Sequence, residues 1–504
     1  MTGKIKYILI FLLTVLFARA SAQNSQVLYF MNLPQNHLLN PALRPSNSVY
    51  IGLPVMSGIN FNVNNNFVNF SDIFLKGQPK DSIISFLHPA YNVDNFLAKI
   101  KDKNYFEPES MIQLLGIGFS VGRDTYIFLD INDRIEGNFV LPGDLIRLAL
   151  KGNEQFVGST IDLSSLRADM KYFREFGAGF SRNFTDKLRI GVKAKLLFGI
   201  ATATLDNKAL GITVNEDYSH TLEANMSVNM SGPVTVSMDS KHNISSVDFN
   251  DNTFNTGSGI IDFFSGKKNL GLGMDIGATY DLTDRIILSG SITDLGFIRW
   301  KKDVTNLKAD NKFEFSGLNM LDVVNGTKTI DEVGQDMLDS LKNAFVVSNT
   351  KSPFTTYLPF GVSLGGSFNL TKKISVGLLS YTRIIDKQIR EALSLSANVN
   401  LGNAFSTSLS YTAENYQYDN LGAGLAFRAG ITQFYIVTDR IPVMWNIIKG
   451  EKTTHDLIGS GTHKSTYNVP VPAKWNSFNL RLGMNLVFGN RQKEKNDKPM
   501  VNIE

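Results

Sequence analysis

The chain of 504 residues contains no cysteine at all. Disulfide bonds are therefore excluded, and no lipid-modified cysteine can anchor the protein. Charged residues are also scarce, since Asp, Glu, Lys and Arg make up 19% of the chain, below the ~25% of ordinary soluble domains. The net charge of +4 is too small to indicate a nucleic-acid partner, and no basic run interleaved with aromatic residues occurs.

Long apolar runs are missing beyond residue 22, where no stretch has the roughly 20 residues of a transmembrane helix. The only substantial run, at positions 8–17, follows two lysines and precedes the small residues at 20–22. This order predicts a secretory signal peptide over residues 1–22, with cleavage after Ala22. An N-terminal membrane anchor is the alternative, but the run is too short to span a bilayer.

Motifs of catalysis are missing as well. The chain has neither a G-x-S-x-G nucleophile elbow nor a glycine-rich phosphate loop that follows a strand. None of its histidines stands at a metal-ligand spacing. We therefore predict no catalytic, cofactor-binding or metal site, and no enzyme. All six histidines fall in the N-terminal segment or in predicted loops, where we expect them to be solvated: His37, His88, His220, His242, His455 and His463.

What the sequence does contain is period-two alternation, which recurs many times. From 393 to 401, for example, Leu, Ala and Val alternate with Ser and Asn. One face of each predicted strand is apolar and the other is small and polar. Many of the strands are long enough for a tilted membrane crossing of ~9–11 residues, whereas a soluble sandwich would have shorter strands. The predicted fold class is an all-β transmembrane antiparallel β-barrel with short helices in its long loops.

The pattern predicts fourteen strands over residues 48–489, of which the first is the least regular because it is rich in Asn and carries Pro54. Residues 23–47 form a leader that either plugs the lumen or hangs in the periplasm, and residues 490–504 form a periplasmic tail. The predicted strands are 48–66, 112–122, 124–138, 169–183, 187–204, 269–282, 285–300, 355–369, 373–385, 392–402, 404–415, 420–429, 431–441 and 476–489.

The connections between these strands alternate between tight turns and long segments, as in barrels with short periplasmic turns and long outer loops. The long segments contain predicted helices at 94–101, 143–150 and 330–346, which either cover the pore or fold onto the rim. A further alternating stretch at 221–239 predicts a hairpin above the membrane. The long segments are 67–111, 139–168, 205–268, 301–354 and 442–475.

Strand parity also predicts which charged side chains face the lumen. These charges either neutralise one another in a closed network of ion pairs or give a path that mildly favours anions. The inward bases are Arg189, Lys193, Lys195, Arg383, Arg428 and Arg481, and the inward acids are Asp130, Glu175, Asp275 and Glu414.

Two short motifs carry a resemblance to known barrels. Leu39-Asn40-Pro41-Ala42 follows the signal peptide, and Asp294-Leu295-Gly296-Phe297-Ile298-Arg299-Trp300 closes the seventh strand. With the recurrent turns around Thr-Asp-Lys, they resemble a family of Bacteroidota outer-membrane barrels of unknown function. The leader motif is similar to that of barrels of the type IX secretion machinery. The strand count is similar to the long-chain fatty-acid transporters, whose leader plugs the lumen. One departure is that Phe488, the expected terminal aromatic, precedes a sixteen-residue tail.

Two functions follow as expectations for an outer-membrane protein that contacts lipid. The first is a channel or transporter for a small apolar ligand. The second is a structural or interaction component that binds an envelope protein, for example in a type IX secretion assembly. Neither function requires a cofactor.

Overall fold

A computed structural model describes residues 26–73, 75–76, 83–84, 91–240, 244–249, 257–258, 269–315, 347–386, 388–401, 404–414, 417–442, 444–455, 462–473 and 476–489. The helices in these residues are short: α1 (Gln26–Tyr29), α2 (Phe70–Ile73), α3 (Val93–Leu97), α4 (Gly143–Lys151), and 3-10 helices at Pro34–Leu38 and Glu154–Phe156. Within the described residues, no helix combines the length and the apolar composition needed to cross a membrane.

Strands account for most of the described chain. In chain order they are β1 (Val49–Gly52), β2 (Ile59–Asn65), β3 (Leu75–Lys76), β4 (Ile83–Ile84), β5 (Lys103–Val121), β6 (Thr125–Pro142), β7 (Ser159–Asp162), β8 (Arg167–Asn183), β9 (Leu188–Val214), β10 (His220–Ser231), β11 (Val234–Met238), β12 (Ile244–Phe249), β13 (Asn269–Asp281), β14 (Ile286–Trp300), β15 (Val304–Phe315), β16 (Val347–Thr350), β17 (Phe354–Tyr357), β18 (Phe360–Asn369), β19 (Ile374–Ile385), β20 (Gln388–Leu401), β21 (Phe405–Glu414), β22 (Gln417–Ala429), β23 (Thr432–Ile441), β24 (Trp445–His455), β25 (Thr462–Pro472) and β26 (Ser477–Phe488).

Fourteen antiparallel crossings form a closed wall. The crossings are β1 with β2, then β5, β6, β8, β9, β13 and β14, then β17 with β18, and then β19, β20, β21, β22, β23 and β26. The last strand, β26, pairs with β23 on one side and with β1 and β2 on the other, which closes the barrel. The predicted fourteen-stranded barrel is thus confirmed.

Compared with a soluble protein, the wall has its apolar side chains on the outside and its polar side chains on the inside. Along β20, the Leu395 side chain is 57% exposed, whereas Ser394 and Ser396 are 1% and 2% exposed. Such an apolar exterior requires lipid around it, because a soluble protein does not present so large an apolar belt to water. Other outward apolar side chains are Ile276, Leu288, Leu364, Leu378, Leu409, Leu425 and Ile436.

Three tight turns share one hydrogen-bond pattern, which explains the recurrent Thr in the sequence. The Thr185 side chain accepts hydrogen bonds from the backbone N–H groups two and three residues later, at 3.3 and 2.9 Å. Thr283 and Thr371 do the same in the turns β13–β14 and β18–β19. The end of the barrel that carries these turns is called the turn end below, and the opposite end is called the loop end.

Two predicted strands are interrupted. The segment 48–66 splits into β1 and β2 around Pro54 and Val55, and Val55 has a φ of 65°, which is strained for a β-branched residue. The predicted strand 355–369 likewise splits into β17 and β18 around Leu358 and Pro359. In both places proline lacks the N–H that a continuous ladder requires.

Several strands extend into segments that we expected to be loops. Strand β5 begins at Lys103 rather than at 112, because its lumen-facing Glu107 and Glu109 obscure the alternation. Strand β9 continues to Val214, well beyond the predicted end at 204. Strands β15 and β16 occupy part of 301–354, and the β24–β25 hairpin occupies most of 442–475.

The extended part of β9 supports a small lobe at the loop end. Strands β7 and β10 pair with β9 there, and β15 pairs with β10. The stretch 221–239 is therefore not a hairpin by itself, since β10 pairs with β9 and β15, and the hairpin is formed by β11 and β12. The lobe has a buried apolar core that includes Ile161, Leu210, Val214 and Leu222.

The helix predicted at 143–150 is confirmed as α4. It ends before Gly152, whose φ of 80° suits glycine. The helix predicted at 94–101 is shorter, because α3 spans only Val93–Leu97. The helix predicted at 330–346 lies outside the described residues, as do the signal peptide and the tail from 490 onward.

Candidate functional site: the occupied lumen

The N-terminal leader, residues 26–47, lies inside the barrel and is almost entirely buried. Polar contacts join it to the wall on several sides. Asp439 accepts a hydrogen bond from the Val27 backbone N–H at 2.8 Å, and the Tyr29 hydroxyl lies 2.8 Å from the Ser289 hydroxyl. Near the turn end, Arg44 donates to the Ser181 hydroxyl at 3.0 Å. The leader therefore occupies the space that a pore would need.

Helix α1 places the apolar side chains of the leader against the wall. They form one buried apolar cluster with wall residues such as Leu379, Tyr435 and Val437. Part of the wall beneath α1 is bare glycine backbone. A Cβ atom at Gly377 would lie 2.7 Å from the Phe30 ring, and one at Gly424 would collide with Met31. Within the part of the chain that the structure describes, the leader fills this apolar trough of the lumen.

The Leu39–Ala42 motif forms the second close approach between leader and wall. The Asn40 side chain accepts from the Ala42 backbone N–H at 2.9 Å and donates to the Tyr29 hydroxyl at 3.0 Å. Pro41 lies against the backbone of Gly191, where any side chain would overlap it. The residues of the predicted leader motif, Asn40, Pro41 and Ala42, therefore shape the leader and seat it on the wall.

His37 is buried rather than solvated, contrary to our expectation for the histidines. Its Nδ1 lies 2.6 Å from the Pro34 carbonyl oxygen and its Nε2 lies 2.8 Å from an Asp130 carboxylate oxygen. Its ring also packs on Phe128, with centroids 4.4 Å apart. Both ring nitrogens therefore face hydrogen-bond acceptors, one in the leader and one in the wall.

The wall beside His37 carries a buried network of ion pairs. Lys193 Nζ bridges Asp130 and Glu175 at 2.9 and 2.7 Å, and its side chain is fully enclosed. A buried cation between two carboxylates repays its desolvation only when such contacts are complete. Lys193 meets that condition. Asp130 also contacts His37, so the network connects the wall with the leader.

The network continues through a bulge in β14. Asp294 has a φ of 62°, and its backbone N–H donates to Asp275 at 2.7 Å. Its carboxylate accepts from Lys195 at 2.5 Å and from Arg134 at 2.6 Å. Arg134 also binds Glu175 at 3.0 Å. Asp294 opens the seventh-strand motif noted in the sequence, so the motif contributes a carboxylate to the lumen.

The other predicted lumen charges occupy several positions. Arg383 pairs with Glu109 nearer the loop end. Arg189 and Arg428 lie near the turn end, where Arg428 donates to Asn47 of the leader at 3.3 Å. Glu414 is buried on β21, apart from the network. Of the predicted lumen charges, six form ion pairs among the described residues: Lys193, Lys195, Arg383, Asp130, Glu175 and Asp275.

A cavity of about 50 Å³ lies next to the leader on its loop-end side. Leu38 and Leu39 form its floor. Its walls are mostly charged or polar and include Asn60, Glu109, Arg134, Glu136, Glu175, Lys195, Asp294, Tyr381, Arg383 and Arg481.

Our sequence reasoning missed three residues of the lumen: Arg134, Asp294 and His37. Strand parity could have identified the first of them but not the other two. Arg134 has the same parity as Asp130 and was available from the alternation. Asp294 faces the lumen only because the bulge shifts its register. His37 lies in a segment without alternation. Among the described residues, no group of three or more His, Asp or Glu side chains could hold a metal ion.

The closed wall, its apolar exterior and its polar, filled interior define a transmembrane β-barrel of the outer-membrane type whose lumen holds its own leader. The chain belongs to the family described as "Family of unknown function (DUF5723)", whose profile matches residues 41–439. The predicted resemblance to a family of unknown function is confirmed at that level. No curated protein matches the chain.

Three solved structures align with most of this chain at low sequence identity. The Ralstonia pickettii toluene transporter TbuX has 10% sequence identity and a TM-score of 0.42, with 94% of this chain and 100% of that chain covered. A Pseudomonas aeruginosa FadL homologue has 10% identity and a TM-score of 0.40, with 94% and 99% covered. The P. putida toluene transporter TodX has 8% identity and a TM-score of 0.37, with 94% and 96% covered. At these values the similarity supplies no argument about function.

Proposed function

We propose that this protein is an outer-membrane channel or transporter for small apolar molecules, closed at rest by the leader. The observation that supports the proposal is the apolar trough beneath α1. Val27, Phe30 and Met31 occupy a buried apolar surface that an apolar molecule could use once the leader has moved.

A disulfide lock between leader and wall tests this function. A Cβ atom at Gly277 would lie 2.9 Å from the Asn40 Cγ, which brings two cysteine side chains within reach of each other. The native chain has no cysteine, so Asn40→Cys with Gly277→Cys gives one defined bridge. In cells that carry the double variant, we expect oxidation to reduce uptake of the apolar dye N-phenyl-1-naphthylamine to the level of cells without the protein, and reduction to restore it.

Each single-cysteine variant is the control and should respond to neither treatment. Equal uptake in the oxidised and reduced double variant would show that the leader does not gate passage. Absence of protein-dependent uptake in both states would argue against a transporter altogether.

The second candidate is a structural or interaction component of an envelope assembly, such as a type IX secretion complex. The lobe favours it, because α4 and β7 pack on the extended β9 and β10 to form an apolar core separate from the barrel. Deletion of the α4 segment, 143–151, should then remove a co-purifying envelope protein while dye uptake stays unchanged. If no protein co-purifies with the intact chain, this candidate fails.

Localisation in the outer membrane depends on export, so we further propose that residues 1–22 are removed. Mass spectrometry of the membrane-inserted protein should find Gln23 as its first residue. An N-terminus at Met1 in the membrane fraction would contradict cleavage after Ala22.

A further inference from the structure

We propose that the lumen cavity binds one small monovalent carboxylate, of the size of formate or acetate, through the guanidinium of Arg481. This site goes beyond the proposed passage of apolar molecules, because its lining is charged and it lies apart from the trough beneath α1. Among the cations of the cavity lining, Arg481 is the one that forms no ion pair within the described residues.

Arg481 lies on β26, is 3% exposed and lines the cavity. Among the described residues, it makes neither an ion pair within 4 Å nor a side-chain hydrogen bond. Its Nε atom is enclosed without an acceptor. Asp439 attracts this guanidinium electrostatically but does not contact it. A buried guanidinium without a contacting counter-charge is unfavourable, so an anionic partner is expected beside it.

The other bases of the cavity do not share this deficit. Arg134 binds Glu136, Glu175 and Asp294. Lys195 binds Asp275 and Asp294, and Arg383 binds Glu109. The lining therefore contains three basic side chains that form ion pairs and one, Arg481, that does not.

The neighbour across the strand pair supports a ligand at the same place. Asn60 on β2 is the register partner of Arg481 and is also buried in the cavity lining. The NH2 group of an amide next to a guanidinium can add a donor for a carboxylate, whose two oxygens accept from the planar fork of the guanidinium.

The charge and the size of the cavity limit the ligand. Four carboxylates line the cavity, and each already accepts from a base. They would repel a second negative charge, so a monovalent anion is favoured over sulfate or phosphate. A volume of about 50 Å³ corresponds to roughly three to five water-sized positions, which admits formate or acetate but no long chain.

The test is calorimetric titration of the detergent-solubilised full chain with sodium formate, sodium acetate and sodium sulfate, in a chloride-free zwitterionic buffer at constant ionic strength. We expect one saturable site per barrel for formate or acetate, and sulfate should bind at least tenfold more weakly. Arg481→Gln should weaken formate binding by about tenfold or more, because it removes charge-assisted hydrogen bonds.

Arg428→Gln is the matched control, since Arg428 also points into the lumen but does not line the cavity. This variant should bind formate as the native chain does. If Arg481→Gln does not fold, Arg481→Lys keeps the charge without the planar fork and should still weaken binding. Failure of both formate and acetate to bind saturably, equal binding in Arg481→Gln, or sulfate binding as tight as formate would overturn the proposal.

Discussion

At the scale of single residues, buried ion pairs stabilise the lumen, and Lys193 is the clearest case. Lys193→Met leaves Asp130 and Glu175 without their shared cation. Breaking a buried ion pair on one side costs about 3–5 kcal/mol, so we expect a loss of that order in the free energy of unfolding. Denaturant unfolding of the protein in lipid vesicles, followed by tryptophan fluorescence, measures it.

Lys187→Met serves as the control for Lys193→Met. Lys187 is exposed in the β8–β9 turn, and its replacement should change the unfolding free energy by less than about 0.5 kcal/mol. Adding Glu175→Gln to Lys193→Met should recover part of the loss, because one of the opposed carboxylates is removed. Equal stability of the two lysine variants would show that pairing does not hold the lumen together.

At the scale of elements, each strand has one face in lipid, and depth in the membrane sets the cost of a charge there. Leu395 in the middle of β20 and Leu370 in the β18–β19 turn are 57% and 49% exposed. Arginine costs ~2–4 kcal/mol at the bilayer midplane and ~0–1 kcal/mol near the interface. We therefore expect Leu395→Arg to destabilise the barrel in vesicles by several times more than Leu370→Arg.

Similar unfolding free energies for Leu395→Arg and Leu370→Arg would contradict this placement of the membrane. Leu395→Met controls for loss of the native side chain and should be close to neutral, since it preserves an apolar side chain of similar volume.

The leader is the second element with a direct test. Removal of residues 26–47 takes away the side chains that fill the centre of the barrel, including those of the apolar cluster. In planar lipid bilayers, the shortened chain should conduct ions steadily, whereas the full chain should remain closed. A shortened chain that inserts but stays closed would show that side chains of the wall are sufficient to seal the lumen.

At the scale of the whole molecule, the turn end and the loop end should face opposite sides of the membrane. The β9–β10 turn at 215–219 belongs to the lobe, and the β8–β9 turn at 184–187 lies at the opposite end of β9. We expect a protease site inserted after Glu216 to be cut in intact cells. A site inserted after Thr185 should be cut only after the outer membrane is opened, and the reverse result would invert the topology.

The sequence predicted the barrel well because alternation reports directly on a wall with lipid on one side. Strand parity alone placed Leu395 on the outside of the barrel and Ser396 on the inside. The ion pairs inside the lumen were harder to predict, because they depend on which distant strands face each other. Arg134 and Asp294 are an example. The leader was the least predictable part. Its side chains bury themselves against bare glycine backbone, and no local periodicity records that contact.

One contact of the leader has a consequence for how the barrel forms. The Gln35 amide donates to Asn485 of β26 at 2.8 Å and to Gln113 of β5 at 3.2 Å. Those strands flank the seam at which the start of the chain meets its end. The segment that precedes the first strand thus carries the side chain that joins the last strand to the second crossing. Because these contacts form only when both strands have met the leader, we expect the barrel to close around a leader that is already in place.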